Sequence, residues 1–159
     1  SLLIPVEGQH TLLVCWLSYG RHIFDAGRRS DGMTDTENPS VPLVRSHDDI
    51  TYESVDAADG LRKGVLVNES HGAPNVALRR FTLAPGGEVP KHTNDIEHEQ
   101  YVLGGEYVVG IDDEEYTVGA GATLHIPASV VHSYHDEGDE EGAFICAVPT
   151  GDDEIRLAE

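Results

Sequence analysis

The sequence predicts an all-β fold, a sandwich or barrel of short strands. Past residue 46 the chain holds a series of short runs rich in β-branched and aromatic residues. Clusters of Gly, Pro and acidic residues separate them, among them APGG, IDDEE, VGAGA and DEGDEEG. No apolar period of helical length occurs in the same region. Strands this short bury their apolar sides only by packing two sheets together or by closing one sheet on itself.

In chain order, residues 1–32 stand apart. Three arginines (Arg21, Arg28, Arg29) balance three acids (Glu7, Asp25, Asp31), so the whole formal charge of −19 falls on residues 33–159. The sole methionine, Met33, follows and opens the acidic run TDTENPSVP. We expect an N-terminal extension over 1–45, with Met33 as a natural start and 1–32 lying upstream of it; an arm packed on the domain or on a partner subunit is the alternative. The strands expected next are 65–68, 76–83, 88–92, 98–111, 115–118, 122–127, 131–135 and 143–149, in one barrel domain over 46–152. An acidic tail, 153–159, ends the chain. The acidic turns IDDEE and HDEGDEEG lack the alternating ligand spacing of a calcium loop and read as solvated hairpin tips.

Ten Lys plus Arg face 29 Asp plus Glu, and the lysines are Lys63 and Lys91 alone. Such a surface offers no basic face for nucleic acid or an anionic membrane. The apolar run TLLVCWL is far shorter than the roughly 20 residues a spanning helix needs. Cys15 and Cys146 make no disulfide framework, and a cytoplasmic protein is expected.

His92 and Asn94 lie two apart and share a strand face, and His98 opens the next apolar run with Gln100 and Val102 on its own face. His132 sits in VVHSYH with Tyr134 on its side. Three imidazoles from three strands suit an open transition-metal site; hydrogen-bonded core histidines are the other reading. The spacing is more telling. Gly86, five residues, His92, one residue, Asn94, three residues, His98, six residues and Gly105 form one pattern. Gly121, five residues, Pro127, one residue, Ser129, two residues, His132, three residues and Asp136 form a second.

Both patterns resemble the two motifs of the cupin superfamily, and the wider likeness to small single-domain cupins runs from about Ile50 to Pro149. The resemblance implies a double-stranded β-helix, a jelly-roll barrel with a metal in its mouth. It implies His92, His98 and His132 as ligands, with Asn94 where a second histidine is expected and His98 where the family has glutamate. Ser129 and Asp136 replace a glycine and an asparagine outside the ligand set. A competing register makes Glu99 the ligand in place of His98. Asn94 either coordinates weakly through its amide oxygen or binds a metal-bound water. Gln100, Val102, Tyr134 and Cys146 are expected to line the pocket. His125 is expected as a strand or supporting residue, and Glu97 and Glu99 as a solvated rim or as acceptors orienting an imidazole.

The functional expectation is a metal-binding cupin using a divalent ion (Fe, Mn, Ni, Cu or Zn), with a dioxygenase-type reaction on a small chelating substrate. A sugar or sugar-acid isomerase or lyase, or a non-enzymatic ligand-binding or sensor protein, are the alternatives. The expected partners are a small molecule and a second copy, the N-terminal segment covering a sheet edge of a homodimer. The acid excess points to a halophilic protein, because a Debye length of about 3 Å in molar salt screens self-repulsion. Its melting temperature should therefore rise from dilute buffer to molar salt; an unchanged melt would leave an ordinary acidic protein.

Overall fold

The computed structural model describes residues 42–151 and 153–158. The expectations for 1–41, Met33 included, lie outside them. Ten strands follow one another: β1 (Tyr52–Ser54), β2 (Asp59–Val67), β3 (Val76–Asn94), β4 (His98–Gly104), β5 (Glu106–Ile111), β6 (Glu114–Gly119), β7 (Thr123–Ile126), β8 (His132–His135), β9 (Gly142–Pro149) and β10 (Ile155–Leu157). All pair antiparallel in a single sheet ordered β6-β5-β8-β3-β9-β4-β7, with β2 and β10 also on β3 and β1 on β2. The sheet curls into the barrel that the alternating runs called for.

The runs 76–83 and 88–92, expected as separate strands, are one 19-residue strand, β3. The intervening APGG bends the chain without ending it. Pro85 has no N–H for a ladder, and Gly86 adopts a φ of 74°. The bend is held from β8: Gly86 N–H donates to the Asp136 carbonyl and Asp136 N–H to the Gly87 carbonyl, both at 3.0 Å. The first half of β3 therefore pairs with β2 and β9, and the second half with β8 and β10. Likewise 98–111 is two strands, divided at Gly105, where φ is 73° and a Cβ would lie 2.6 Å from the Gly142 Cα. The acidic tail supplies β10, which lies along β3 beside His92 and Asn94.

Inside, β4 alternates buried and exposed residues, as a half-buried strand must. Phe144 centres an aromatic cluster, stacked on Phe81 at 5.1 Å and on Tyr134 at 5.5 Å, with Tyr107 tilted at 5.9 Å. Asp136 is fully buried, and its carboxylate accepts the backbone N–H of Gly138 and Gly142. Those bonds offset the cost of burying it and close the turn into β9.

Two opposite substitutions test the turns. Ser129 holds a φ of 67°, so Ser129→Gly relieves left-handed strain and should leave stability unchanged or raise it by up to about 1 kcal/mol. Gly105→Ala meets both strain and backbone overlap and should cost more than about 2 kcal/mol. Urea unfolding measures both, and a destabilised Ser129→Gly or a neutral Gly105→Ala would contradict these turn geometries.

Candidate metal centre

Three strands bring the motif histidines to one cavity. His92 near the end of β3 faces His132 at the start of β8 as a direct cross-strand pair, with ring centroids 4.2 Å apart. His98, first residue of β4, approaches His132 at 5.4 Å. All three are buried. The backbone sets two of the rings identically: His92 Nδ1 lies 2.8 Å from the Pro90 carbonyl and His132 Nδ1 2.9 Å from that of Val130. A neutral imidazole donating Nδ1–H to a carbonyl keeps its lone pair on Nε2, the form a metal ligand needs.

Asn94 is placed as firmly. Its Nδ2 donates to both oxygens of Asp153, at 3.0 and 2.9 Å, so its Oδ1 is turned the other way. That oxygen is buried with no hydrogen-bond partner, as are Nε2 of His98 and of His132. Unpaired buried polar atoms are rare and costly, and three of them on residues lining one cavity match the donor set a divalent cation takes. The residues fit a metal.

Gln100, Tyr134 and Cys146 also line this cavity, which holds about 110 Å³, several times the roughly 10–15 Å³ one water requires. Gln100 Nε2 donates to the Tyr134 hydroxyl at 2.6 Å, leaving Gln100 Oε1 without a partner. Val102 does not line the cavity. Two residues farther along β4 it pairs with Phe144 and is sealed into the apolar core. Parity gave its face, but strand rise carried it past the opening.

The lining residues that were not anticipated include Arg79 and Asp153. Arg79 shares the inward parity of Phe81 and Leu83, a signal present in VALRRFTL. Asp153 belongs to the tail and gave no signal, because only the docking of β10 brings it to Asn94. Glu99 points outward, with His125 Nδ1 3.1 Å from its Oε1 and both exposed. With Glu97 they form the cluster of three His, Cys, Asp or Glu ligand atoms within 4.8 Å of one another among the described residues. The barrel histidines are more widely spread as a trio. The interior set differs from it in having buried, unpaired polar atoms, whereas exposed carboxylates are satisfied by water.

Residues 79–148 match the cupin domain family. The barrel has the fold of that family. Among solved structures the chain aligns with the polyketide cyclase RemF from Streptomyces resistomycificus at a TM-score of 0.69 and 26% identity, covering 74% of this chain and 87% of that one. Among curated proteins it is 26% identical over 110 residues to auxin-binding protein 1 of Arabidopsis thaliana, covering 64% of this chain and 56% of the relative. It is 23% identical over 118 residues to auxin-binding protein T85 of Nicotiana tabacum, covering 68% and 63% respectively. The chain thus spans about three fifths of the length of these two relatives. No helix among the described residues is long and apolar enough to cross a membrane.

Burial holds the imidazoles of His98 and His132 down to about 4 from the ordinary 6.5, with Arg79 adding to the effect at His98 and His92 at His132. Between those values the unfolded chain binds more protons than the folded one, so folding stability rises with pH. In metal-free protein the contribution should be fully present above about pH 6.5 and lost progressively down to pH 4, on the order of 3 kcal/mol per ring at most. Denaturant midpoints across that range should show the slope, and a His98→Gln, His132→Gln double variant should flatten it; a wild-type profile already flat would contradict the buried neutral rings.

Proposed function

We propose that this cupin is a metal-dependent enzyme acting on a small, chelating carbonyl compound, with a divalent transition ion held by His92, His98 and His132 and by Oδ1 of Asn94. The observation that carries this reading is the set of buried polar atoms without partners among the described residues, His98 Nε2, His132 Nε2 and Asn94 Oδ1, on residues that line one cavity. Four neutral donors leave the charge of a divalent ion uncancelled, which favours an anionic ligand and leaves positions open to it. When bound, the ion supplies Lewis-acid polarisation of a carbonyl.

The chain's own groups supply the proton chemistry. The Tyr134 hydroxyl accepts from Gln100 Nε2, so its own hydrogen is available for a substrate oxygen. Burial pushes its phenol far above the ordinary range, which keeps that hydrogen in place at neutral pH. The Tyr134 ring lies edge-on to His132 at 5.9 Å, beside the proposed ligand set. Gln100 Oε1 offers an acceptor next to this donor. A donor and an acceptor side by side suit an enolisable carbonyl, held while a proton moves to or from the adjacent carbon. The reaction class is therefore isomerase, lyase or cyclase, and the similarity to a polyketide cyclase supports it. A dioxygenase-type reaction is the second reading, supported by the neutral donor set and its open positions.

Elemental analysis of natively purified protein should find about one equivalent of transition metal. His92→Ala, His98→Ala and His132→Ala should each lose it, and Asn94→Ala should weaken binding by roughly tenfold. Glu99→Ala should keep the metal; loss there with retention in His98→Ala would move the ligand set outward. With a panel of diketones and 2-oxo acids, the loaded protein should exchange carbon-bound hydrogen for deuterium without taking up oxygen, and Tyr134→Phe should slow exchange about 100-fold while keeping its metal. Oxygen uptake without exchange would favour the second reading.

A further inference from the structure

Arg79 is in an unusual position for an arginine. It belongs to a row running across three strands, Arg79 opposite Cys146 and Cys146 opposite Gln100, so its side chain reaches the same cavity as the histidines. Its contacts do not satisfy it. Nη2 reaches the Cys146 sulfur at 3.7 Å, a weak acceptor, and Nη1 lies 3.9 Å from Asp153 Oδ2, beyond hydrogen-bond length. Nε is buried with no partner. The guanidinium lies 5.6 Å from the centre of the Phe81 ring, which steadies its plane without using an N–H. Arg79 is part-buried, and among the described residues its five donors have no oxygen at bonding distance, the unmade bond at the buried Nε being the costly one.

The charge on the wall agrees. The cavity's charged lining residues are Lys63, Arg79 and Asp153, a net of +1 on a chain whose formal charge is −19. Apart from these and from the histidines, Asn94, Gln100 and Tyr134, the lining is apolar, with Phe81, Val89 and the exposed side chains of Ile155 and Leu157 of the tail among it. A planar fork facing a single carboxylate at long range matches another carboxylate better than a phosphate, which would need more positive charge.

We propose that Arg79 is an anion-binding residue of this cavity, that its ligand is a small carboxylate with an apolar body, and that the carboxylate of Asp153 competes for the same guanidinium. This deepens the reading of the cavity as a substrate site and names the end of the substrate that faces away from the histidines. Gln100, one step from Arg79 through Cys146, then lies between the two ends.

The test uses the full chain stripped of metal, with benzoate as probe and benzamide as its uncharged twin, titrated by calorimetry. Benzoate should bind at least roughly tenfold more tightly than benzamide. Arg79→Gln should abolish that preference, Arg79→Lys should retain part of it, and Asp153→Asn should strengthen benzoate binding severalfold. Equal binding of the two probes, no binding of either, or a preference that survives Arg79→Gln would overturn the proposal. Should Arg79→Gln fail to fold, Arg79→Lys and Asp153→Asn decide: unchanged benzoate affinity in both overturns it. Metal content, assayed separately on unstripped protein, keeps the two ideas apart. An intact benzoate preference in a chain that takes up no metal would refute the metal centre and leave the Arg79 site standing.

Discussion

The bend in β3 is the constraint on which the cavity depends. A single strand carries Arg79 in its first half and His92 and Asn94 in its second, and the halves pair with different neighbours. The two backbone bonds between Asp136 and Gly86–Gly87 fix where that change occurs. With the bend set there, His92 falls opposite His132, and Arg79 falls in line with Cys146 and Gln100. Asp136 is itself held by two backbone N–H groups, so the bend is tied to the turn that starts β9. The histidine spacing of the sequence makes sense only with this geometry beneath it.

Much of this was legible in the residues. Alternation and turn clusters gave an all-β barrel, and the two motif spacings gave the positions of His92, His98 and His132 around one cavity. Side-chain parity separated His98, which points in, from Glu99, which points out. What parity does not carry is depth: Val102 shares a face with Gln100 yet lies past the cavity floor. Glycine and proline also misled, because APGG reads as a strand end when its backbone groups have no known partners. The structure shows those partners on Asp136, and the strand continues.

The least legible residue was Asp153. An acidic tail on an acidic protein looks like solvated charge, and nothing local in TGDDEIRL marks one carboxylate as different from its neighbours. Its role comes from a long-range pairing, Ile155 opposite Asn94 and Leu157 opposite His92, which no short window contains. The same pairing narrows what the sequence left open at Asn94 to the chemistry of its amide oxygen. With its amide nitrogen committed to a carboxylate, only the oxygen is left to face the histidines.

Asn94 and Asp153 stand 59 positions apart but behave as one unit. A histidine at position 94 has no pair of amide hydrogens to offer the two carboxylate oxygens, and a neutral residue at position 153 would no longer hold the amide by both. A change at one place is therefore felt at the other, and a designer who restored the family's second histidine would have to aim one imidazole N–H at Asp153 to replace the lost amide bonds.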